Sequence, residues 1–295
     1  MTTKLFNRVI KVTIQNGSYN ATYTNSQEDG IEIRFEIPFD DDSEPNDGSV
    51  YLYNLNKTSL SHLKRGATIT VQAGYEADYG VLVIGRVASV HTRMENTTRI
   101  TKIRYIEGDD YSRIKVTPKT ADPAEKYTTG KKKGQAKPQK LQIAFKKGTH
   151  GSTIIKRLVD VLDIKLDGKI ELVRDKVYKK GYVVTKLILN NLEEVVRDCG
   201  SIIYHRRGRL VIRPLKKGKD ERFLLDEDSG LLRAPGAFET ESESGYAVEC
   251  LLQHRITTAS IIQIKSSTAN GSYRAVRGKH ICDGVNTFKT ECDVV

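Results

Sequence analysis

Acidic clusters are the first groups in this sequence that could do chemistry, because paired carboxylates can exchange protons with a substrate or hold a metal ion. Three clusters occur, at Asp40, Asp41 and Asp42, at Asp109 and Asp110, and at Asp226, Glu227 and Asp228. Each lies in a turn-like segment with polar neighbours, where aspartate is common for conformational reasons. Solvated turns are therefore the favoured interpretation, and residues 40–48 lack the alternating ligand order of a calcium loop.

Histidine and cysteine could supply ligands or nucleophiles, but neither residue type is spaced for such a role. The histidines are His62, His91, His150, His205, His254 and His280, and the cysteines are Cys199, Cys250, Cys282 and Cys292. No two histidines are four residues apart, as on a metal-binding helix face. The cysteines lack CxxC spacing, so we expect reduced, partly buried thiols. Cys199 and His205 together would give only two ligands, fewer than a zinc site needs.

Motifs that cradle a phosphate or activate a nucleophile are absent from the sequence. The pattern GxxxxGK[ST] does not occur, and the stretch 271–279 has the wrong spacing for it. HExxH, GxSxG and GxGxxG do not occur in a suitable setting either. We therefore predict a protein that is not an enzyme, with no catalytic, cofactor-binding or metal-binding residues and no cofactor.

The positive charge of the chain is concentrated in its middle. The 295 residues include 48 Lys and Arg against 37 Asp and Glu, a net charge of +11. Residues 1–112 and 221–295 each carry −3, whereas residues 113–151 carry +9 and residues 152–220 carry +8. Any partner that recognises charge should therefore meet the middle of the chain.

Lysines between residues 119 and 147 could follow the phosphates of a nucleic acid, which would make binding strongly dependent on salt. Only Tyr127 and Phe145 in this stretch could stack on bases. A solvated, flexible face is the favoured interpretation, and a docking surface for an acidic protein is a further option.

The elements that would position these groups begin with strands. Residues 31–37 alternate between apolar and charged side chains, which is the period of a strand with one buried face. Five more strands are predicted, at residues 10–14, 50–55, 68–73, 81–90 and 98–106. Six short strands favour a barrel or a sandwich. A short helix over residues 57–64 interrupts them, with Asn56 or Thr58 as its cap.

The middle of the chain changes character twice. Residues 117–151 lose all periodicity and contain the run Lys131, Lys132, Lys133, so we predict an exposed loop or linker. Apolar residues on one face then predict a helix from residue 152 or 153, capped by Ser152 or Thr153, and a second helix over 185–199. A hairpin around Gly208 completes a small α/β domain.

The last block returns to strands, which are predicted at residues 246–252, 260–265, 273–282 and 286–294. The dipeptides Asn270-Gly271 and Asp283-Gly284 predict turns between them. The chain is thus predicted to be mainly β with an α+β insertion. No apolar run approaches the roughly 18 residues that cross a bilayer, so we expect no stable membrane association.

Six stretches, in matching order over nearly the whole chain, carry a family resemblance. They are YLYNLNKTSLSHLKRGATITVQAGY at 51–75, VLVIGRV at 81–87, IAFKKGTHGSTIIKRL at 143–158, SGLLRAPGAFE at 229–239, YAVECLLQHRI at 246–256 and NGSYRAVRGKHICDG at 270–284. Together they resemble the central hub proteins of phage baseplates and phage-tail-like particles. That group includes the N-terminal half of type VI secretion spike proteins.

The resemblance implies two tail-tube-like β-barrel domains that flank the small α/β domain. The corresponding division is a first barrel at 1–112, a basic flexible linker at 113–151, the α/β domain at 152–214 and a second barrel at 215–295. Three chains would form a ring of six barrels, and this homotrimer would join a sixfold tail tube above to a threefold spike or tip below.

The same resemblance implies a structural virion component at the tail tip, or in a tail-like contractile injection system, that is assembled in the bacterial host cytoplasm. Other baseplate proteins would be further partners, and nucleic acid would pass in transit without specific binding. The chain stops at Val295 without a hydrolase or a spike-forming repeat. We therefore expect wall degradation and membrane piercing to reside on separate chains.

Two alternatives remain open at this point. The chain could be a nucleic-acid-binding protein that uses its basic linker. With less support, it could be a peptidoglycan hydrolase that uses one of its acidic pairs.

Overall fold

The computed structural model describes residues 5–214, 219–240 and 243–295. These residues form two compact units. Unit 1 comprises Met1–Asp109, Tyr204–Arg209 and Lys216–Val295, and unit 2 comprises Asp110–Ile203 and Leu210–Leu215. In the described part of the chain, every helix is too short or too polar to span a bilayer.

The N-terminal part of unit 1 consists of seven strands and a short helix, and we call these strands the N-terminal block. The strands are β1 Arg8–Asn16, β2 Tyr19–Thr24, β3 Ile33–Phe39, β4 Asp47–Tyr53, β5 Thr68–Tyr75, β6 Asp78–Glu95 and β7 Thr98–Glu107. The helix, α1, covers Lys57–His62, between β4 and β5. Its N-cap is Asn56, whose side chain accepts a hydrogen bond from the Ser59 amide.

The middle of the chain contains six short strands and two helices. They are β8 Ile143–Phe145, β9 Thr149–His150, α2 Gly151–Leu162, β10 Val177–Tyr178, β11 Tyr182–Val184, α3 Ile188–Asp198, β12 Ile202–Arg206 and β13 Arg209–Arg213. The strands pair as three two-stranded ladders, β8 with β11, β9 with β10 and β12 with β13. The core of unit 2 lies mainly on α2 and α3, where Ile154, Leu158, Leu192 and Val195 are fully buried.

The C-terminal part of unit 1 contributes six strands, which we call the C-terminal block. They are β14 Lys219–Leu225, β15 Gly236–Glu239, β16 Ser244–Leu251, β17 Ser260–Lys265, β18 Asn270–Cys282 and β19 Phe288–Val294. The alternating burial along β19 places Phe288, Thr290, Cys292 and Val294 inward. This alternation is the period of a strand with one buried face.

Both blocks belong to one 13-stranded sheet. Its strand order is β15-β16-β19-β18-β3-β4-β7-β6-β5-β1-β2, while β14 and β17 branch from the other half of β18. The first part of β18 pairs with β17 and its last part pairs with β3. Because β18 is 13 residues long, a single strand can serve both ladders. Pairing between β3 and β18 therefore makes the two blocks one sheet.

Buried apolar side chains of the sheet form two clusters, one for each strand block, and each cluster includes residues of the other block. One core cluster of the N-terminal block also includes Leu252, Cys282 and Phe288 from the C-terminal block. A second cluster, built on the C-terminal block, includes Phe39 at the end of β3. Neither block therefore encloses its core with its own residues alone.

The prediction of a mainly β chain with few helices is confirmed. The Asn56 cap is confirmed as well. The predicted Ser152 or Thr153 cap of α2 is wrong, because that helix begins at Gly151 and Asp175 accepts from both the amide and the hydroxyl of Ser152. An acceptor 23 residues away supplies the capping group, which local sequence does not reveal.

Some strands were not predicted. Strands β2, β10, β11, β14 and β15 lie outside the predicted ranges, and β8 and β9 lie within the stretch predicted as a linker. Strand β2 has the sequence YNATYT, in which apolar and polar residues do not alternate cleanly. The turn predicted at Asn270-Gly271 is wrong, because both residues belong to β18. Pairing with β17 extends the strand through them.

Gly278→Ala should destabilise the sheet where β18 passes between β3 and β19. A Cβ atom at Gly278 would lie 2.3 Å from the Glu291 carbonyl oxygen and 2.7 Å from Cζ of Phe39. We expect the free energy of unfolding, measured by urea titration with far-UV circular dichroism, to fall by about 1 to 3 kcal/mol. Gly236→Ala on β15 is the matched control, since no heavy atom lies within 4 Å of its added Cβ. Equal stability of the two variants would contradict the close approach.

Candidate functional site

A group of largely buried charged side chains in unit 1 lies where the two strand blocks meet. We call it the seam and define it by three carboxylates of the N-terminal block, Asp41, Asp78 and Glu107. Each of them hydrogen-bonds a residue from beyond residue 200 in the sequence. All of the seam contacts lie within unit 1.

Asp78, the first residue of β6, binds two side chains from the C-terminal part of unit 1. Its Oδ1 lies 2.9 Å from Nε2 of His254 and 2.8 Å from a terminal nitrogen of Arg255. The side chains of Asp78 and His254 are only 10% and 16% exposed, whereas 42% of the Arg255 side chain remains exposed. A Cβ at Gly80 would lie 2.3 Å from Nδ1 of His254, so only glycine gives the imidazole its place beside β6.

The loop after β3 makes the second link of the seam. Arg274, on β18, donates from Nη1 to Oδ2 of Asp41 over 2.9 Å. The Thr258 hydroxyl donates to the backbone carbonyl of Asp40 over 2.8 Å. Both side chains of the ion pair are largely buried, with 10% of Arg274 and 23% of Asp41 exposed. The link therefore holds the end of β3 against β18.

Glu107, the last residue of β7, makes the third link. It is buried, and its two carboxyl oxygens each accept a hydrogen bond of 2.8 Å, one from Asn46 Nδ2 and one from the Gly208 amide. Burial raises the pKa of Glu107 from 4.5 to about 7, and these two donors oppose the rise. The carboxyl group thus fastens the segment around Gly208 to the end of β7.

His280 is a buried neutral group on the last part of β18. Its Nδ1 lies 2.8 Å from the Thr290 hydroxyl on β19, and its ring centroid lies 5.3 Å from that of Phe39. Burial lowers the pKa of His280 to about 3, so the imidazole is uncharged at neutral pH. The side chain completes the packing where β3, β18 and β19 run together.

The seam residues have a structural role, because their polar groups bind one another. Its carboxylates are held by bound partners, and those partners come from both strand blocks and from the Tyr204–Arg209 segment. Such a set of directional contacts specifies how the two blocks are aligned, because a shift of register would leave buried charges unpaired. The seam can therefore hold two strand blocks as one body.

The three acidic clusters of the sequence make different kinds of contact. Asp40 and Asp41 form hydrogen bonds in the seam, so this cluster is more than the solvated turn that we predicted. Asp109 pairs with Arg86 over 2.8 Å. Asp226 forms a local turn with Ser229, whose bonds lower the pKa of that carboxyl. Among the described residues, no group of three or more His, Cys, Asp or Glu side chains is placed to hold a metal ion.

The cysteines are free, as predicted, and all four are buried, where partial burial was expected. Burial raises the pKa of Cys250 to about 12, which keeps its thiol protonated. Cys199 lies against Gly151 in unit 2, whereas His205 belongs to unit 1. The seam roles of His254 and Glu107 were missed, because their partners lie 176 and 101 residues away and no local pattern marks such contacts.

The edges of the sheet form a second candidate surface. Strand order ends at β2 on one side and at β15 on the other. Residues 88–95 of β6 pair with β7 and, among the described strands, with no other. Beside β15 an open groove of about 520 Å³ is lined by Phe238, Tyr246, Tyr273 and Val295 among others. Edges of this kind present unpaired backbone groups to a neighbouring chain.

The carboxyl group of Glu107 should make stability depend on pH. Its pKa is raised in the folded chain, so the folded state keeps a proton that the unfolded chain releases between pH 4.5 and about 7. The free energy of unfolding should therefore fall as pH rises through this window, by about 3 kcal/mol from this group. Glu107→Gln should remove that fall.

The measurement is urea unfolding at several pH values from 5 to 8, and the quantity of interest is the difference between wild type and Glu107→Gln. Subtraction removes the parts common to both proteins. These are Asp40, whose pKa burial raises to about 6, and His280, whose lowered pKa acts with the opposite sign. Glu36→Gln on the exposed side of β3 is the control. A pH-independent difference for Glu107→Gln would contradict the assignment.

Asp78→Ala should destabilise unit 1 more than removal of an exposed ion pair. The substitution leaves His254 and Arg255 without their shared acceptor, and we expect a loss of about 2 kcal/mol. Glu32→Ala breaks the pair with Arg34, both of whose side chains are 41% exposed, and should cost less than about 1 kcal/mol. Thermal and urea unfolding of the two variants test the difference, and equal losses would contradict a structural role of the seam.

Comparison with known proteins places the fold. No protein-family model matches this chain, and no curated protein sequence matches it. A 43 kDa tail protein of prophage MuSo2 from Shewanella oneidensis has a TM-score of 0.62 at 10% identity, with 97% of each chain covered. A tail protein from Neisseria meningitidis has a TM-score of 0.58 at 8% identity, with 98% of this chain and 96% of that chain covered.

A third solved structure is an E. coli component of the type VI secretion system, described as structurally similar to the T4 bacteriophage tail proteins gp27 and gp5. Its TM-score is 0.59 at 6% identity, with 90% of this chain and 73% of that chain covered. At identities this low, the structural matches show a shared fold alone. The chain described here has the fold of phage tail proteins, and the resemblance to tail hub proteins that its sequence suggested is confirmed at that level.

Proposed function

We propose that this protein is the structural hub of a phage tail or tail-like particle. In this role it works as a trimeric adaptor that joins a sixfold tail tube to a threefold spike or tip. The observation that carries the proposal is the sheet of unit 1, in which two strand blocks are fastened by the β3–β18 ladder and the seam. The shared fold with tail proteins supports the same role.

The two strand blocks suit a change of symmetry. If each block acts as one tube-like barrel, a ring of three chains presents six similar surfaces on one side and three identical ones on the other. The proposed division assigns residues 1–112 and 215–295 to the barrels, 113–151 to a basic linker and 152–214 to the α/β domain. A rigid join between the blocks is needed, because six surfaces match a sixfold partner only at fixed spacing.

The partners follow from this geometry. The chain would contact two further copies of itself, a tail tube protein, a spike or tip protein and other baseplate proteins. It would belong to the tail tip of the particle, after assembly in the host cytoplasm, and its role would be structural and not catalytic. The open edges at β2 and β15 suit such contacts, since strand addition supplies backbone hydrogen bonds without changing either partner.

Oligomeric state is the first test. Size-exclusion chromatography with light scattering should give a mass of about 99 kDa, which is three times the chain mass of 33.1 kDa. Negative-stain microscopy of that fraction should show rings with threefold symmetry. A chain that stays monomeric at high concentration and binds no tube or spike protein would overturn the proposal.

Ala237→Lys should weaken the trimer if β15 is one of its contact edges. Ala237 is exposed on this edge strand, where a lysine opposes the addition of a further strand. We expect the dissociation constant of the trimer to rise roughly tenfold or more. Gln263→Lys is the matched control, because it adds the same charge at an exposed position on β17, a strand that has neighbours on both sides. Equal effects of both lysines would exclude the β15 edge.

A further inference from the structure

The excess positive charge of the chain belongs to one of its two units. Unit 1 contains 26 Lys and Arg and 26 Asp and Glu, whereas unit 2 contains 22 and 11. The whole net charge of +11 therefore lies on unit 2. In unit 2, 17 of the basic residues are lysine and 5 are arginine. Because unit 1 is neutral and unit 2 is strongly basic, we expect unit 2 to have a separate role.

Besides the turn at residues 132–134, two turns of unit 2 have the sequence Lys-Lys-Gly. The first is Lys146-Lys147-Gly148, between β8 and β9, and the second is Lys179-Lys180-Gly181, between β10 and β11. Gly148 has φ of 83° and Gly181 has φ of 80°. Both glycines therefore occupy the left-handed region, which other residues adopt at a cost. Each turn thus presents two consecutive lysines beside a tight backbone bend.

Strand pairing brings the two turns together. Strand β8 pairs with β11 and β9 pairs with β10, so the turn that joins each pair of successive strands lies at the same end of both ladders. The amides of Gly148 and Gly181 both donate to the Tyr178 carbonyl, each over 2.9 Å. A Cβ at Gly181 would lie 3.4 Å from the Lys147 amide nitrogen. We call Lys146, Lys147, Lys179 and Lys180 the lysine cluster.

The charges of the lysine cluster are exposed and uncompensated. All four side chains are exposed, and none forms an ion pair with a carboxylate of the described residues. The carboxylates bonded to the neighbouring residues have other donors. Asp198 accepts from Lys176 and Tyr178, and Glu194 accepts from the Tyr182 hydroxyl. Four like charges on two adjoining turns repel one another and attract a polyanion.

The composition of this surface favours phosphate over an acidic protein. Protein interfaces are enriched in aromatic residues and arginine and depleted in lysine, and carboxylates are best held by the planar fork of arginine. The cluster contains lysine alone, and of the aromatic residues that flank its turns Tyr178 is buried while Phe145 and Tyr182 are half-buried. Lysine acts as a mobile point charge, which suits phosphate groups that need no fixed orientation.

We propose that the lysine cluster binds the phosphate backbone of duplex DNA without sequence preference. Base stacking on a single strand would need exposed aromatic side chains, which these two turns lack. Contacts to phosphates fix the position of a protein on a duplex and carry no sequence information. The sequence suggested lysines anywhere between residues 119 and 147 as the DNA contacts. The structure limits the proposed contacts to two turns, and the second turn lies outside that stretch.

The experiment uses the full chain and a fluorescently labelled duplex of mixed sequence, with binding followed by anisotropy at several salt concentrations. The variant replaces all four lysines of the cluster with alanine. We expect its affinity at low salt to fall roughly tenfold or more. The slope of log K against log salt is negative, and its magnitude should fall by about 3, so that binding depends less on salt. A Lys→Arg variant at the same four positions keeps the charge and should bind as the wild type does.

The matched control replaces Lys131, Lys132, Lys133 and Lys140 with alanine, which removes the same charge from exposed positions elsewhere in unit 2. It should retain affinity within about threefold. Circular dichroism verifies that both variants remain folded. Equal losses in the cluster variant and the control would show that net charge alone drives binding and would overturn the proposal.

Two further results would also overturn the proposal. One is the absence of duplex binding by the wild type at low salt. The other is displacement of the duplex by poly-glutamate at an equal concentration of charge, which would identify an acidic protein as the better partner. Weaker displacement by poly-glutamate, and equal or weaker binding of a single strand, are the expected results.

Discussion

The backbone pairing of β3 with β18 is the constraint on which the rest of unit 1 depends. It joins residues that are about 240 positions apart, such as Phe39 and Gly278, and so closes a very long loop. The entropic cost of such closure rises only slowly with length, whereas the ladder adds hydrogen bonds and brings residues of each block into the apolar cluster of the other. Without this ladder, Phe39, Cys282 and Phe288 would each lack part of their packing. The two strand blocks therefore depend on each other for their cores.

The polar contacts of the seam fix how the two strand blocks are aligned. Apolar contact alone tolerates a sliding register, but Asp41 and Asp78 must each meet a particular partner from the other block, and Glu107 must meet the amide of Gly208. Buried ion pairs add little net stability, because desolvation offsets much of their attraction. Their effect is to penalise every other alignment. In the proposed adaptor role the surfaces of the chain must match several neighbours at once, so a single alignment matters more than a few kcal/mol of extra stability.

The two units carry different physical properties. Unit 1 is electrically neutral, with open strand edges and a groove beside β15 that suit contacts with other protein chains. Unit 2 carries all of the net charge and has its own core on α2 and α3. Its lysine cluster is held by glycine turns whose positions are set by two short ladders. The proposed assembly contacts thus lie on unit 1, and the proposed binding of a polyanion lies on unit 2.

The sequence by itself determined the mainly β composition, most of the longer strands, both amphipathic helices and the Asn56 cap, because these follow from local periodicity and local hydrogen bonds. It also located the basic middle of the chain. Only the tertiary structure decided that the blocks share one sheet, that Asp78 binds His254, and that Glu107 holds Gly208. It also decided that two Lys-Lys-Gly turns more than 30 residues apart lie together. These are contacts between distant segments, and alternation of residue types fixes the face of a strand but not its partner.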